Sequence, residues 1–246
     1  MRAKDTAERP IELAAASPEN ATPLSEQAYQ LIRQDILTGH IPPGEKLRIE
    51  ALRTMYGLSN TPLREALNRL AAEQIVIADE RRGFRSAPVS AEDFLDLTTF
   101  RIAIENAALI DAIRNGDDEW ESGIVAAFHR MEVFQGRLGR DRKAPNDEWT
   151  RRHKEFHMAL IAACGSTRMV AACSAMFDQA ERYRRILLLH RRKPRDARSE
   201  HQQLMQLTLA RKEPAAAALL KEHVLRTAET VTGIFKDGRL STGTRR

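Results

Sequence analysis

Between residues 74 and 90 the spacing of apolar residues switches from a helical period to a strand-like one. It then returns to helical for the rest of the chain. That one interruption decides what the chain can fold into. Before it stand three short amphipathic segments. "LSEQAYQLIRQDILTG" puts Ala28, Leu31, Ile32 and Ile36 on one stripe and ends at Gly39. "RIEALRTMYG" is a second. "LSNTPLREALNRLAAEQ" is a third, with Ser59 or Thr61 as cap, Pro62 in the first turn and a buried stripe of Leu63, Ala66, Leu67 and Leu70. "IVIAD" and "FRSAPV" then flank the turn "ERRG" as a hairpin. Three helices and a hairpin predict a winged helix-turn-helix over residues 23–89, with "SAPVSAED" as the linker to the helical remainder of the chain. From residue 91 to 235 six helical segments succeed one another without a strand, which predicts an all-α bundle. The fold class is therefore mainly α, in two domains, with loose tails at 1–22 and 236–246.

Composition narrows the partners. The chain has 246 residues, 42% of them hydrophobic and 30% charged, enough to build two cores without disulfides or structural metals. A net charge of +5 permits an anionic partner without requiring one. The two cysteines, Cys164 and Cys173, form no CxxC and read as buried thiols in a reducing compartment. No apolar stretch approaches the ~20 residues of a membrane span, and the N-terminus has no signal-peptide core, so the expected location is cytoplasmic.

A helix-turn-helix lays its second helix in the major groove of DNA. Here that helix opens with Ser59, Asn60 and Thr61, short polar groups suited to phosphate or base edges, and shows Arg64 one turn later on the side away from the leucine stripe. The wing tip carries Arg81, Arg82 and Arg85 around Gly83, a basic cluster fit for a backbone or a minor groove. On spacing alone, a plain three-helix scaffold with solvated arginines remains open. The motifs "GHIPPGEKL", "GLSNTPLREAL" and "RGF", within one unbroken run of about 65 residues, resemble the N-terminal domain of the GntR family of transcriptional regulators. The resemblance implies a homodimer on double-stranded operator DNA. By position it assigns the contacts to Ser59, Thr61, Arg64, Arg82 and Gly83. The family usually has Arg where this chain has Asn60; Arg pairs bidentately with guanine whereas Asn prefers adenine, so the operator is expected to differ there.

In the bundle, "HKEFH" places His153 and His157 about 40° apart on a helix, so that both rings can reach one metal. A catalytic zincin needs HExxH, with the general base directly after the first histidine. Here that position is Lys154, and Glu155 lies about 200° round the helix. His201 and His223 lie at or near apolar stripes of two further helices. A lone histidine there is usually a core residue, but four on three helices of one bundle suggest a shared centre. The stretches "RIAIENAA", "HKEFH", "SEH" and "KEHV" resemble the FCD-type ligand domain of the FadR branch of the same family. The resemblance implies a metal on His153, His157, His201 and His223. Metal-binding relatives carry Asp at the first position, and many carry Asn where this chain has Ser166. Four neutral nitrogen donors favour one divalent transition metal per chain, zinc first, with nickel, cobalt or copper as alternatives. Acyl-CoA-binding relatives lack this set, which argues against a fatty-acyl effector.

The effector reading completes the expectation. Arg101 can grip a carboxylate bidentately, and Glu105 shares its helix face. The basic run "ERYRRILLLHRRKPRDAR" offers Arg182 and Arg184 as further anion contacts, or is simply solvated. The chain therefore reads as a non-enzymatic transcription regulator whose operator affinity answers to a small organic acid at a metal site. Two alternatives stay open on sequence alone: a metal-dependent hydrolase fused to the helix-turn-helix, with Glu105 as its carboxylate, and a regulator for which the metal itself is the signal.

Overall fold

The computed structural model describes residues 22–79, 83–137, 147–190 and 197–236. The expected tails fall outside this set except for residues 22 and 236, and so do Arg81 and Arg82 of the wing tip. The N-terminal unit runs α1 (Leu24–Thr38), β1 (Lys46–Leu47), α2 (Ile49–Tyr56), α3 (Asn60–Ala72), β2 (Val76–Asp79) and β3 (Gly83–Ser86). Gly39 and Gly57 end α1 and α2 at φ of 80° and 68°, a left-handed backbone that glycine adopts without steric cost. The turn at Gly57 aims α3. Ser59 is its N-cap residue by backbone geometry, although its side chain makes no capping bond.

The hairpin strands form as the sequence suggests, but β3 is the central strand of a three-stranded sheet in the order β1-β3-β2. β1 pairs antiparallel with β3 through Lys46–Arg85 and Leu47–Phe84. The segment "HIPPGEKL" thus ends in a strand, which the sequence reading did not assign. A two-residue strand has no periodicity to detect; it exists because the Glu45 carbonyl accepts from the Ser86 amide and Leu47 is drawn into the core. Ala28, Ile32, Leu63, Ala66, Leu67 and Leu70 are wholly buried, and they weld α1 to α3.

The bundle holds six helices among the described residues: α4 (Ala91–Asn115), α5 (Asp118–Arg137), α6 (Asp147–Leu160), α7 (Thr167–His190), α8 (Arg198–Leu209) and α9 (Glu213–Lys236). Ser90 caps α4 by accepting from the Asp93 amide, and Asp117 caps α5 through the Trp120 amide. The core centres on Leu109, Ile124, Met131, Phe156 and Leu160. Cys164 and Cys173 are both buried and free, as expected. Among the described residues no helix is long and apolar enough to cross a membrane. A second cluster, with Phe94 stacked on Tyr183 at 4.4 Å, seats the linker on α4, α7 and α9.

Candidate metal centre and its cavity

α6 buries Phe156 and Leu160, and the same side of the helix carries its two histidines inward. His153 and His157 are each 7% exposed, His201 on α8 is 2% and His223 on α9 is 8%. Burying an imidazole costs free energy unless its nitrogens find partners. Here the rings face one another. The Nε2 of His153 lies 3.1 Å from that of His157 and 3.2 Å from that of His201. One ligand nitrogen from each of the four lies within 4.8 Å of all the others.

Burial holds the His153 and His157 rings well below their usual pKa, first by desolvation and then through the neighbouring imidazoles. They are therefore neutral, the state in which a ring nitrogen can bind a metal. His153 can accept from both neighbours at once only with its proton on Nδ1, and that atom is buried without a hydrogen-bond partner. Proton sharing thus satisfies the cluster poorly. A tetrahedral zinc site, with Zn–N near 2.05 Å, separates its nitrogens by about 3.3 Å, close to the two contacts observed. The cluster fits a divalent metal in donor type, in the neutral state of His153 and His157 and in its two close contacts, with all four ligand nitrogens within 4.8 Å.

Supporting contacts were not visible in sequence. Glu200 accepts from His223 Nδ1 at 2.8 Å and from Arg226 at 2.7 Å, which fixes the His223 tautomer with Nε2 free of its proton. Trp149 stacks on His153 at 4.5 Å, and the Phe177 ring lies 5.4 Å from both His153 and His157. The one available signal was Glu200 beside His201 in "SEH", yet it serves the other histidine.

Beside the histidines a cavity of about 370 Å³, part of it open to solvent, is lined by Arg101, Phe177, Glu181, Arg184 and Thr227. Arg101 is 8% exposed and donates through Nε to Glu105 at 2.6 Å. Its terminal nitrogens make no hydrogen bond among the described residues. Arg184 reaches the cavity too, but Glu181 (2.5 Å) and Thr150 (2.7 Å) hold its guanidinium. Arg182 does not line the cavity. It turns the other way and donates to the linker carbonyls of Ala87 and Pro88, so its place among the effector contacts is corrected. The two arginines stand two residues apart, about 200° round the helix. His190, inside the same basic run, belongs to the last turn of α7.

In the N-terminal unit Ser59, Asn60, Thr61 and Arg64 are all exposed along the start of α3. Gly83, also exposed, opens β3 at φ 77°. Nothing is described of Arg82 beside it.

An exposed helix-turn-helix joined to a bundle with a partly open internal cavity is the build of a ligand-responsive DNA-binding regulator. Comparison with known proteins agrees. Residues 24–85 match the bacterial regulatory proteins of the gntR family, and residues 96–226 match the FCD domain. The chain is 37% identical over 214 residues to the HTH-type transcriptional regulator BphR of Paraburkholderia xenovorans, covering 86% of this chain and 87% of that one. It is 35% identical over 205 residues to the transcriptional repressor GlaR of Escherichia coli, covering 82% and 92%. In fold it is similar to E. coli McbR/YncC, with a TM-score of 0.71, 16% identity and coverage of 87% and 100%. The chain belongs to the GntR family: it is a DNA-binding transcriptional regulator with an FCD ligand-binding domain, and not an enzyme.

Proposed function

We propose that His153, His157, His201 and His223 hold one divalent transition metal, zinc first, and that a small carboxylate bound beside it controls operator affinity. The observation that carries this reading is the convergence of four buried imidazoles, three of which, His153, His157 and His223, line a cavity that also presents Arg101. Bound there, the metal supplies an uncompensated positive centre, because four neutral donors cancel none of its charge. Arg101 offers its terminal nitrogens to a carboxylate, while Glu105 holds the guanidinium in place through Nε. Arg184, already paired with Glu181, is a secondary contact.

On DNA, the reading assigns Ser59, Asn60, Thr61 and Arg64 to the major groove and the wing residues Arg82 and Gly83 to the flanking backbone. It includes a cytoplasmic homodimer, supported by Leu95 and Phe100, large apolar side chains of α4 left about half exposed. A coupling of ~1–3 kcal/mol, ordinary for such systems, changes operator affinity by about 5- to 150-fold.

The test is a screen of hydroxy- and dicarboxylates against metal-loaded protein, read as operator affinity. At least one acid is expected to shift affinity in the wild type and not in Arg101→Gln, with metal content equal in both. A screen with neither thermal stabilisation nor altered DNA binding overturns the carboxylate reading. If metal alone produces the full shift, the metal is the signal.

A further inference from the structure

α7 carries two adjacent stripes with different partners. Phe177, Glu181 and Arg184, spaced i, i+4, i+7, line the cavity beside the histidines. Asp178, Arg182 and Arg185 repeat the same spacing one residue on, about 100° round the helix, and all three touch the N-terminal unit or its linker. Arg185 donates to the Thr38 carbonyl at the end of α1 (3.4 Å). Arg182 holds the linker at Ala87 and Pro88. Asp178, 8% exposed, accepts from Arg33 of α1 and, at 2.5 Å, from Lys154 of α6. A single carboxylate therefore ties the DNA-binding unit to the helix that bears "HKEFH".

The connection continues to the recognition helix. Glu73 is the C-cap of α3, and its carbonyl accepts from Gln179 Nε2 at 3.0 Å. Its carboxylate accepts from Tyr29 at 2.8 Å and faces Arg33 Nε at 3.7 Å. Between the metal-centre rings and the end of α3 there are thus three steps. His153 and His157 pack on Phe177; Phe177 adjoins Asp178 and Gln179 on one helix; these hold Arg33 and Glu73. A second, shorter route runs through Lys154, next to His153 on α6, straight to Asp178.

We infer that Asp178 is the positioning residue that transmits occupancy of the metal centre to the recognition helix, with Arg33 and Lys154 as its two arms. The inference rests on the metal reading above and adds the path by which it reaches DNA. A rearrangement of α6 around the four imidazoles moves Lys154 with His153. It also presses on Phe177 and so turns the neighbouring stripe of α7. Both movements act on Asp178, which hands them to Arg33 and, beside it, to the end of α3. Arg182 and Arg185 keep the linker and the end of α1 against the same face, so the DNA-binding unit moves with α7 as one piece.

The test uses full-length protein, Zn²⁺ alone as probe, and an operator duplex selected from a random pool with the wild type. Affinity is compared between zinc-loaded and chelator-stripped protein, and zinc is counted by elemental analysis. Asp178→Asn leaves two cations facing a buried amide, so Arg33→Gln, which lies outside the bundle, carries the test. The wild type is expected to show a severalfold difference between the two states. In Arg33→Gln that ratio falls towards one with zinc content unchanged, and Arg33→Lys restores part of it. Amide exchange at the end of α3 is expected to respond to zinc in the wild type and not in Arg33→Gln. A full wild-type ratio in Arg33→Gln overturns the inference, as does a ratio of one in wild type that demonstrably holds zinc. Loss of zinc from Arg33→Gln reduces Arg33 to a structural residue and overturns it as well. Absence of zinc from the wild type is a different result: it refutes the metal reading, and the transmission path with it.

Discussion

Glu200→Gln isolates the contact that fixes the His223 tautomer, and so tests the proposed metal centre. Among the described residues the Glu200 carboxylate accepts from His223 Nδ1 at 2.8 Å and from Arg226 at 2.7 Å. An amide has one oxygen and one NH₂ in its place, so either orientation loses one of the two bonds. With the oxygen towards Arg226, the NH₂ faces His223 Nδ1 and favours the tautomer whose proton sits on Nε2, the atom that must be bare. With the oxygen towards His223, two donors meet at Arg226. Glu200 and His223 have side chains only 11% and 10% exposed, so water compensates little. Losing such a support typically weakens metal binding 10- to 100-fold, or ~1.4–2.7 kcal/mol. The assay is competition for zinc against a chelating dye. The variant is expected to bind zinc more weakly yet reach about one zinc per chain at saturation. His157→Ala and His223→Ala lose a donor outright and should fail to fill at the same free zinc, while His129→Ala, at an exposed position of α5 outside the cluster, keeps wild-type content. Wild-type zinc affinity in Glu200→Gln would refute the orienting role. Failure of the histidine variants to lose metal would make these core histidines.

Two further outcomes are expected from the same geometry. Because burial keeps His153 and His157 neutral, below pH 6.5 the unfolded chain binds protons there that the native chain does not, so stability rises with pH and is lost on acidification. From pH 7.5 to 5.5, metal-free wild type should lose up to ~1.4 kcal/mol per ring relative to a His153→Gln/His157→Gln protein, read by chemical denaturation; parallel curves would show that the rings are not held neutral. Arg64→Ala should cost ~1–3 kcal/mol on the selected operator and less on random duplex, and unchanged operator binding would remove α3 as the reading helix.

Much of the fold was legible because period alone reveals it. The leucine stripe of α3, the glycine ends of α1 and α2, and the six helices of the bundle all come from local pattern, above all apolar residues repeating every three to four positions. The strand Lys46–Leu47 was not legible, since two residues carry no period and the pairing comes from β3, about 40 residues away. The histidines were legible in part. "HKEFH" shows that two rings share a face, whereas their meeting with His201 and His223 depends on how three helices dock.

What sequence by itself determined is the class of each segment long enough to carry a period and the inward face of each helix, because both are local: they arise from backbone periodicity and from which side chains water rejects. What only tertiary structure decided is how each helix is turned towards its neighbours. Arg182 and Arg184 look equivalent in "ERYRR", yet one grips the linker and the other borders the cavity. Glu200 precedes His201 but orients His223, and Lys154, written between His153 and His157, reaches for Asp178. The reason is geometric. One residue along a helix is about 100° of rotation, so adjacent side chains meet different partners, and packing against the other helices chooses which.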